Sequence, residues 1–291
     1  MEDAKKIILV TGATGKQGGA TIRHLLKSDW KIRALTRNPD SEKSKKLEEL
    51  GVEVLPGNQD DRNSLMRTME GIYGVFSVQQ SMEHGAVKEI EQGKRMGDVA
   101  KECGVQHFIY SSVEGAERNT GIPHFESKGQ VEIHLNVLDL PLTTLRPVSF
   151  MENYYIPQIK GPILKGKMRD AIKGDKPFQL VATDNIGAFA ALAFNNRDKF
   201  LGKTIPIAGD ELTNVEIAAT FEKVMGRKVA FKKLPLFLLR LAMGKDIFLM
   251  YKWYNEHGFE ADIDGLRRDY PEIHLITLEQ WLWDEGWDKI D

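Results

Sequence analysis

The stretch Lys6-Ile-Ile-Leu-Val-Thr-Gly-Ala-Thr-Gly-Lys-Gln-Gly-Gly19 opens with an apolar run and carries three glycines spaced as Gly12-x-x-Gly15-x-x-Gly18. A short strand that turns sharply into a helix in this way is built to hold a dinucleotide. Gly12 permits the tight turn, Gly15 lets backbone N–H groups approach a pyrophosphate, and Gly18 lets the helix pack close to the sheet. The helical spacing of Ile22, Leu25 and Leu26 follows directly, which separates this pattern from an isolated glycine-rich turn.

About 20 residues beyond the glycines such folds read the adenosine ribose. Here Lys31-Ile-Arg-Ala-Leu-Thr-Arg-Asn-Pro39 reads as a second strand ending in Thr36 and Arg37, with no acid at its end. An acid would accept from the 2′-hydroxyl of NAD, whereas a guanidinium offers a planar fork of donors to the 2′-phosphate of NADP. The sequence therefore favours NADP(H).

Strand and helix then alternate. Helices are predicted over 41–50, 62–69, 87–103 and 125–135, and strands over 53–55, 74–78, 107–111 and 142–146. This alternation predicts an α/β fold with a Rossmann-type, doubly wound parallel sheet. From Met151 the pattern loosens around Pro157, Pro162 and Pro177. The expected organisation is a nucleotide-binding domain over 1–150 with a return at 183–208, interleaved with a smaller C-terminal lobe formed by 151–182 and 209–291. Thr213-Asn-Val-Glu216 is a capping box that opens a helix ending near Met225-Gly226. The segment Leu234–Met243 is apolar almost all round and is expected to be buried against the core, with a partner-binding helix or a pocket wall as the second reading.

Composition narrows the function. With 40 basic and 42 acidic residues among 291, the net charge is −2, so no bulk field recruits nucleic acid. The single cysteine, Cys103, excludes an internal disulfide and reads as a packed residue at a helix end. The seven histidines form no metal-ligand spacing, and no Gly-x-Ser-x-Gly elbow is present. No leader opens the chain and no apolar run approaches the ~18 residues of a membrane span. A cytoplasmic protein without a membrane partner is expected; nuclear residence, and the choice between monomer and dimer, stay open.

Several motifs together resemble the atypical, NmrA-like branch of the short-chain dehydrogenase/reductase superfamily. They are the glycine loop, Thr36-Arg-Asn-Pro39, Gly57-Asn-Gln-Asp-Asp61, Glu91-Gln-Gly-Lys94, His124-Phe-Glu-Ser-Lys-Gly129, Leu145-Arg-Pro147, Phe150-Met-Glu-Asn153, Asp262-Ile-Asp-Gly-Leu266 and Thr277-Leu-Glu-Gln-Trp-Leu282. The resemblance implies NADP(H) held by Gly12, Ala13, Thr14, Gly15, Lys16, Gln17 and Gly18, and by Arg37, Asn38, Pro39, Asp40 and Ser41. It further implies contacts from Asn58 and Gln59, from Gln79, Gln80 and Ser81, from Lys128, and from Phe150, Met151, Glu152 and Asn153. Asn58 departs from the aspartate common in such proteins, though its amide carbonyl can still accept one bond.

Active members of the superfamily pair a tyrosine with a lysine four residues on, both on one helix face. The lysine contacts the nicotinamide ribose and lowers the phenol pKa, so that a proton can follow hydride transfer. This chain has His124-Phe-Glu-Ser-Lys128, keeping the lysine and losing the tyrosine. His124 is a weak substitute, being shorter than a phenol and disfavoured as a cation beside Lys128. Tyr110, Ser111 and Ser112 end the fifth strand, where a serine either orients substrate or is structural.

Two functions follow. One is an NADP(H)-binding redox sensor or regulator with a protein partner and no dehydrogenase turnover. The other is an NADPH-dependent reductase of a small apolar carbonyl, quinone or dye, relying on Lys128 and cofactor. For the latter the aromatic and Met-rich lobe (Phe150, Met151, Tyr154, Tyr155, Met243, Phe248, Met250, Trp253) offers apolar surface, although such residues are more often core.

Overall fold

The computed structural model describes residues 6–81 and 85–290. By internal contacts the chain divides into two compact units. The first comprises Met1–Glu117, His124–Arg146 and Ile186–Ile205; the second comprises Arg118–Pro123, Pro147–Asn185 and Pro206–Asp291.

In the first unit the strands are β1 (Ile7–Val10), β2 (Lys31–Thr36), β3 (Glu53–Pro56), β4 (Gly74–Ser77), β5 (His107–Ser111) and β6 (Leu142–Pro147). They hydrogen-bond in the order β6-β5-β4-β1-β2-β3, every neighbouring pair running parallel. A further strand, Thr204–Ile207, extends the sheet to seven beyond β6. The intervening helices are α1 (Lys16–Leu25), α2 (Glu42–Glu49), α3 (Arg62–Met69), α4 (Ala86–Glu102) and α5 (Pro123–Val137). Because helices cover both faces, the central strands are apolar without alternation; β4 and β5 are buried at every position. One core layer joins Leu9, Val75 and Phe108 of the sheet to Leu65, Met96, Val99, Val131 and Leu135 of the helices, and Cys103 packs at its margin. This confirms the doubly wound α/β sheet expected from the alternation.

Strand order reverses between β1 and β4, each neighbouring chain connection leaving to opposite sides. Thr11 locks that crevice: its buried hydroxyl accepts from the Val78 N–H at 2.8 Å and lies 3.2 Å from the Val78 carbonyl. Gly12 then turns with φ +59°, a left-handed conformation that suits glycine, and its carbonyl accepts from the Gly15 N–H at 2.8 Å. At Gly18 a Cβ would stand 2.3 Å from the Gly12 oxygen, so helix and turn touch through backbone alone.

The second unit contains a three-stranded sheet and a two-stranded one. The first orders Asp210–Thr213, Pro177–Val181 and Ser149–Phe150; the second pairs Ala230–Lys233 with Lys167–Asp170. Its interior is largely rings: Phe221 lies 5.0 Å from both Tyr154 and Trp287, and Tyr254 lies 5.1 Å from both Phe178 and Phe259. Thr213 and Glu216 form the expected capping box on the helix Asn214–Met225, which Gly226 ends in the left-handed region.

The segment Leu234–Met243 departs from expectation. It starts a helix, Leu236–Glu256, but of its first turns only Leu239 is buried. Phe237, Leu238, Leu241 and Met243 face solvent, because Pro235 and the non-helical Gly244 isolate these two turns from the part of the helix that carries the buried Trp253 and Tyr254. No helix among the described residues is long and apolar enough to cross a membrane.

Candidate functional site

A cavity of about 320 Å³ opens at the carboxyl ends of β1–β4. This is the topological switch point, where doubly wound sheets hold ligands. Four successive strand ends line it: Gly12, Ala13, Thr14 and Gly15 after β1; Leu35 to Asn38 and Ser41 after β2; Gly57, Asn58 and Gln59 after β3; Val78, Gln79 and Gln80 after β4. Gln92 of α4 completes the wall.

The loop after β1 ends in Gly15, the N-cap of α1, and no side chain caps that helix. The first turn of that helix thus has no side-chain cap, which favours an anion at its end. Arg37 lines the cavity after β2, where the Thr36 hydroxyl accepts from the Asn38 N–H at 3.2 Å and fixes the bend. Ser41 caps α2 by accepting from the Ser44 N–H at 3.2 Å, while Ser44 donates to the Asn38 carbonyl at 2.8 Å. This small hydroxyl network holds the loop that carries Arg37.

The loop after β3 is held by its own amides. The Asn58 side-chain oxygen accepts from the Asp60 N–H at 3.0 Å, a local turn that occupies one of the acceptor's two lone pairs. Asp60 receives Lys88 at 3.0 Å and Gln92 at 3.0 Å; burial works to raise its carboxyl, but these donors and the Arg95 charge outweigh it and hold it below the usual range. Gln79 donates through its side-chain amide to Gln59 and to Ser77, both at 2.9 Å, and its buried side-chain oxygen Oε1 has no partner among the described residues.

Lys128 stands behind that wall. Its ammonium lies 3.5 Å from the Gln79 carbonyl and donates at 2.9 Å to Glu89, a carboxylate fully buried on α4. Glu89 also accepts from the Ser127 hydroxyl. The Lys128 nitrogen is 6.0 Å from the centre of the Tyr110 ring, whose buried hydroxyl has no partner among the described residues. Burial first, then the charges of Glu89 and Glu132, push the Tyr110 phenol well above the usual tyrosine range. His124 sits on the first turn of α5 with its ring edge-on to Phe125 at 5.0 Å.

Of the residues expected from sequence, the cavity brings together Gly12 to Gly15, Arg37, Asn38, Ser41, Asn58, Gln59, Gln79 and Gln80. Lys16, Gln17, Gly18, Pro39, Asp40, Ser81 and Lys128 do not line it. Gln17 instead accepts from the Ser111 hydroxyl at 2.5 Å, which gives Ser111 a structural partner at the end of β5. Phe150 to Asn153 belong to the second unit. There Met151 is buried, Glu152 accepts from the Thr183 N–H at 2.9 Å and from its hydroxyl at 2.7 Å, and Asn153 lies 3.5 Å from the Ser149 hydroxyl. Sequence reasoning missed Leu35, Gly57, Val78, Gln92 and Glu89. Gln92 lay inside a motif already singled out; nothing in the sequence distinguishes Glu89 from the solvated acids around it.

The sequence profile of the NmrA-like family matches residues 4–282. The chain belongs to that family. An NmrA-like family domain-containing protein of Dictyostelium discoideum is 31% identical over 293 residues, covering 95% of this chain and 97% of its own. Among solved structures, the triphenylmethane reductase of Citrobacter sp. in complex with NADP(H) matches with a TM-score of 0.80 at 22% identity, over 95% of this chain and 99% of its own. NmrA, a negative transcriptional regulator, in complex with NADP matches with a TM-score of 0.79 at 19% identity, over 99% and 96%. Chains that share this fold thus include a reductase and a regulator.

Proposed function

We propose that this NmrA-like chain binds NADP(H) in the cavity at β1–β4 and acts as a redox sensor or regulator, changing its affinity for a protein partner with cofactor occupancy and performing no dehydrogenase turnover. The residues fit the group. Uncapped N–H groups of α1 stand where a pyrophosphate needs donors, Arg37 suits a 2′-phosphate, and the unpartnered Gln79 oxygen offers an acceptor in the wall. By the family resemblance Lys128, whose ammonium lies 3.5 Å from the Gln79 main-chain carbonyl, would contact the nicotinamide ribose, and Phe150 to Asn153 would supply further cofactor contacts. When bound, the cofactor supplies a hydride acceptor or donor.

The observation that carries the sensor reading is the Lys128–Glu89 pair. A lysine that lowers a phenol pKa must present uncompensated charge, and here a buried carboxylate 2.9 Å away compensates it. The Tyr110 phenol, whose ring centre lies 6.0 Å from the Lys128 nitrogen, is driven in the opposite direction by burial and by Glu89. A phenol raised in this way is a poorer proton donor than an ordinary tyrosine. The reductase reading rests on the likeness to the Citrobacter enzyme and on the retained Lys128, for a substrate that takes hydride without a protein acid.

Calorimetry with NADPH and NADH, beside NADPH consumption against quinones, enals and triarylmethane dyes, separates the readings. Tight NADPH, weak NADH and no consumption are expected, with Arg37→Asp shifting the preference towards NADH. Equal affinity for NADH and NADPH in the wild type ends the NADP(H) assignment. Steady oxidation faster than about 1 per second, in the usual enzyme range, and lost in Lys128→Ala, establishes the reductase.

A further inference from the structure

The solvent-facing start of the helix Leu236–Glu256 combines exposed apolar side chains with a cluster of cations. Phe237 is 61% exposed and Leu241, one turn later on the same face, is 81% exposed, with Leu238 beside them. Residues 227–245 also hold six basic side chains and no acidic one, in a protein whose net charge is −2. Arg227 donates to the Ile290 carbonyl; the other five, Lys228, Lys232, Lys233, Arg240 and Lys245, are exposed.

The basic residues surround the apolar face. Lys232 and Lys233 end the strand just before it, Lys245 follows Gly244 just after it, and Arg240 flanks it with its guanidinium 5.5 Å over the Phe248 ring. The nearest acids in sequence are Glu222, whose carboxylate accepts from the Val229 N–H, and Asp246. Two helical turns of apolar side chains with cations at both ends and along one side have the form of an interfacial segment: rings and aliphatic chains enter the acyl boundary while lysines meet anionic headgroups.

We propose that this face docks the protein on an anionic phospholipid bilayer, as a peripheral contact. A second copy of the chain is a poor occupant. A two-fold contact would set the same five exposed cations against their own copies. A helix-binding groove on another protein reads anchors at i, i+3, i+4 and i+7, and the first residue of that set here, Leu234, lies before Pro235 and outside the helix. The surface lies wholly in the second unit and is independent of the NADP(H) reading.

Co-sedimentation of the full chain with vesicles containing phosphatidylserine, and with vesicles of phosphatidylcholine alone, tests the assignment. Binding is expected only with phosphatidylserine and is expected to weaken as salt shortens the Debye length. Lys232→Gln with Lys233→Gln should lower partitioning about 25-fold, near fivefold for each cation. Phe237→Ser with Leu241→Ser should lower it at least about tenfold. Both pairs are exposed, so melting temperatures should not move; a pair that does melt earlier is replaced by Leu241→Ser or Lys233→Gln alone, read against a proportionate loss. No binding to phosphatidylserine vesicles at low salt overturns the proposal, as does binding that survives the Phe237 and Leu241 substitutions. A concentration-dependent dimer dissolved by Leu241→Ser would instead give the face to a second copy.

Discussion

The two units bury different things. The first packs aliphatic side chains and single rings such as Phe76, Phe108 and Tyr110 between parallel strands and helices, and its cavity lies at one edge, where the loops after β1, β2, β3 and β4 meet. The second packs rings from distant parts of the chain, Tyr154 with Phe221 and Trp287, and Phe178 with Tyr254 and Phe259, and leaves one helical stretch uncovered. The first unit is thus organised by a repeating pattern that delivers every strand end to one place. The second is organised by individual contacts, and its surface is free to differ.

Backbone contact should matter most in the first unit. Gly18→Val places a side chain where the Gly12 carbonyl stands 2.3 Å from even a Cβ, and neither backbone can move without breaking the β1 turn. Loss of cooperative folding of the first unit is expected, read by circular dichroism and protease resistance. Gly226→Ala in the second unit meets nothing within 4 Å and bears only the left-handed backbone cost of about 1 kcal/mol. If the two substitutions cost the same, close packing at the β1 turn is not what distinguishes the units.

How much was legible follows the same division. The strands and helices of the first unit lie where hydrophobic period and turn residues put them, because each βα unit carries its own signal; helix 62–69 and strand 107–111 were read to the residue. The glycine loop and Arg37 were legible because a dinucleotide turn fixes their spacing. Glu89 was not, since its meaning arises only when α4 lays it against α5 and Lys128. The exposure of Leu234–Met243 was not, since an apolar run reads as buried unless the tertiary structure withholds a cover. The ring cluster of the second unit joins residues up to the 287th position with residues near the 154th, beyond any window of periodicity.

The units should also answer pH with opposite signs. His107, buried in the first unit and bonded to the Thr143 hydroxyl at 2.8 Å, has its pKa lowered from 6.5 to about 4 by burial and then by the Arg197 charge. Its contribution to stability is therefore complete above pH 6.5 and lost as pH falls through about 4. Asp170, buried in the second unit, is raised from 3.8 to about 6 by burial, against hydrogen bonds from Ile172 and Asn214. Its contribution is complete below pH 3.8 and lost as pH rises through about 6. Each amounts to about 3 kcal/mol at full development, at 1.36 kcal/mol per pKa unit. Asp170→Asn, which keeps an acceptor for the Ile172 N–H, should stabilise the protein increasingly from pH 4 to 6 and by a constant amount above. His107→Gln should remove the acid loss between pH 6.5 and 4. Denaturant titrations across pH read both, and a pH-independent gain from Asp170→Asn would mean that packing, not charge, sets its effect.

The smaller effects concern which unit grips the cofactor. Lys128→Ala removes a charged donor worth about 1.5–3 kcal/mol, so NADPH affinity should fall about 10- to 100-fold; it also leaves the buried Glu89 carboxylate without its cation, so thermal stability should fall and is read beside affinity. Glu89→Gln keeps an acceptor for Ser127 while releasing the lysine from a negative partner; NADPH, itself anionic, should bind at least as tightly as to the wild type. Asn153→Ala, in the second unit, removes one neutral hydrogen bond worth about 0.5–1.5 kcal/mol and should weaken NADPH by about tenfold at most. Isothermal titration ranks the three. A loss from Asn153→Ala greater than that from Lys128→Ala would move the centre of recognition out of the first unit, and with it the reason for reading Lys128 and Glu89 as the pair that decides between binding and turnover.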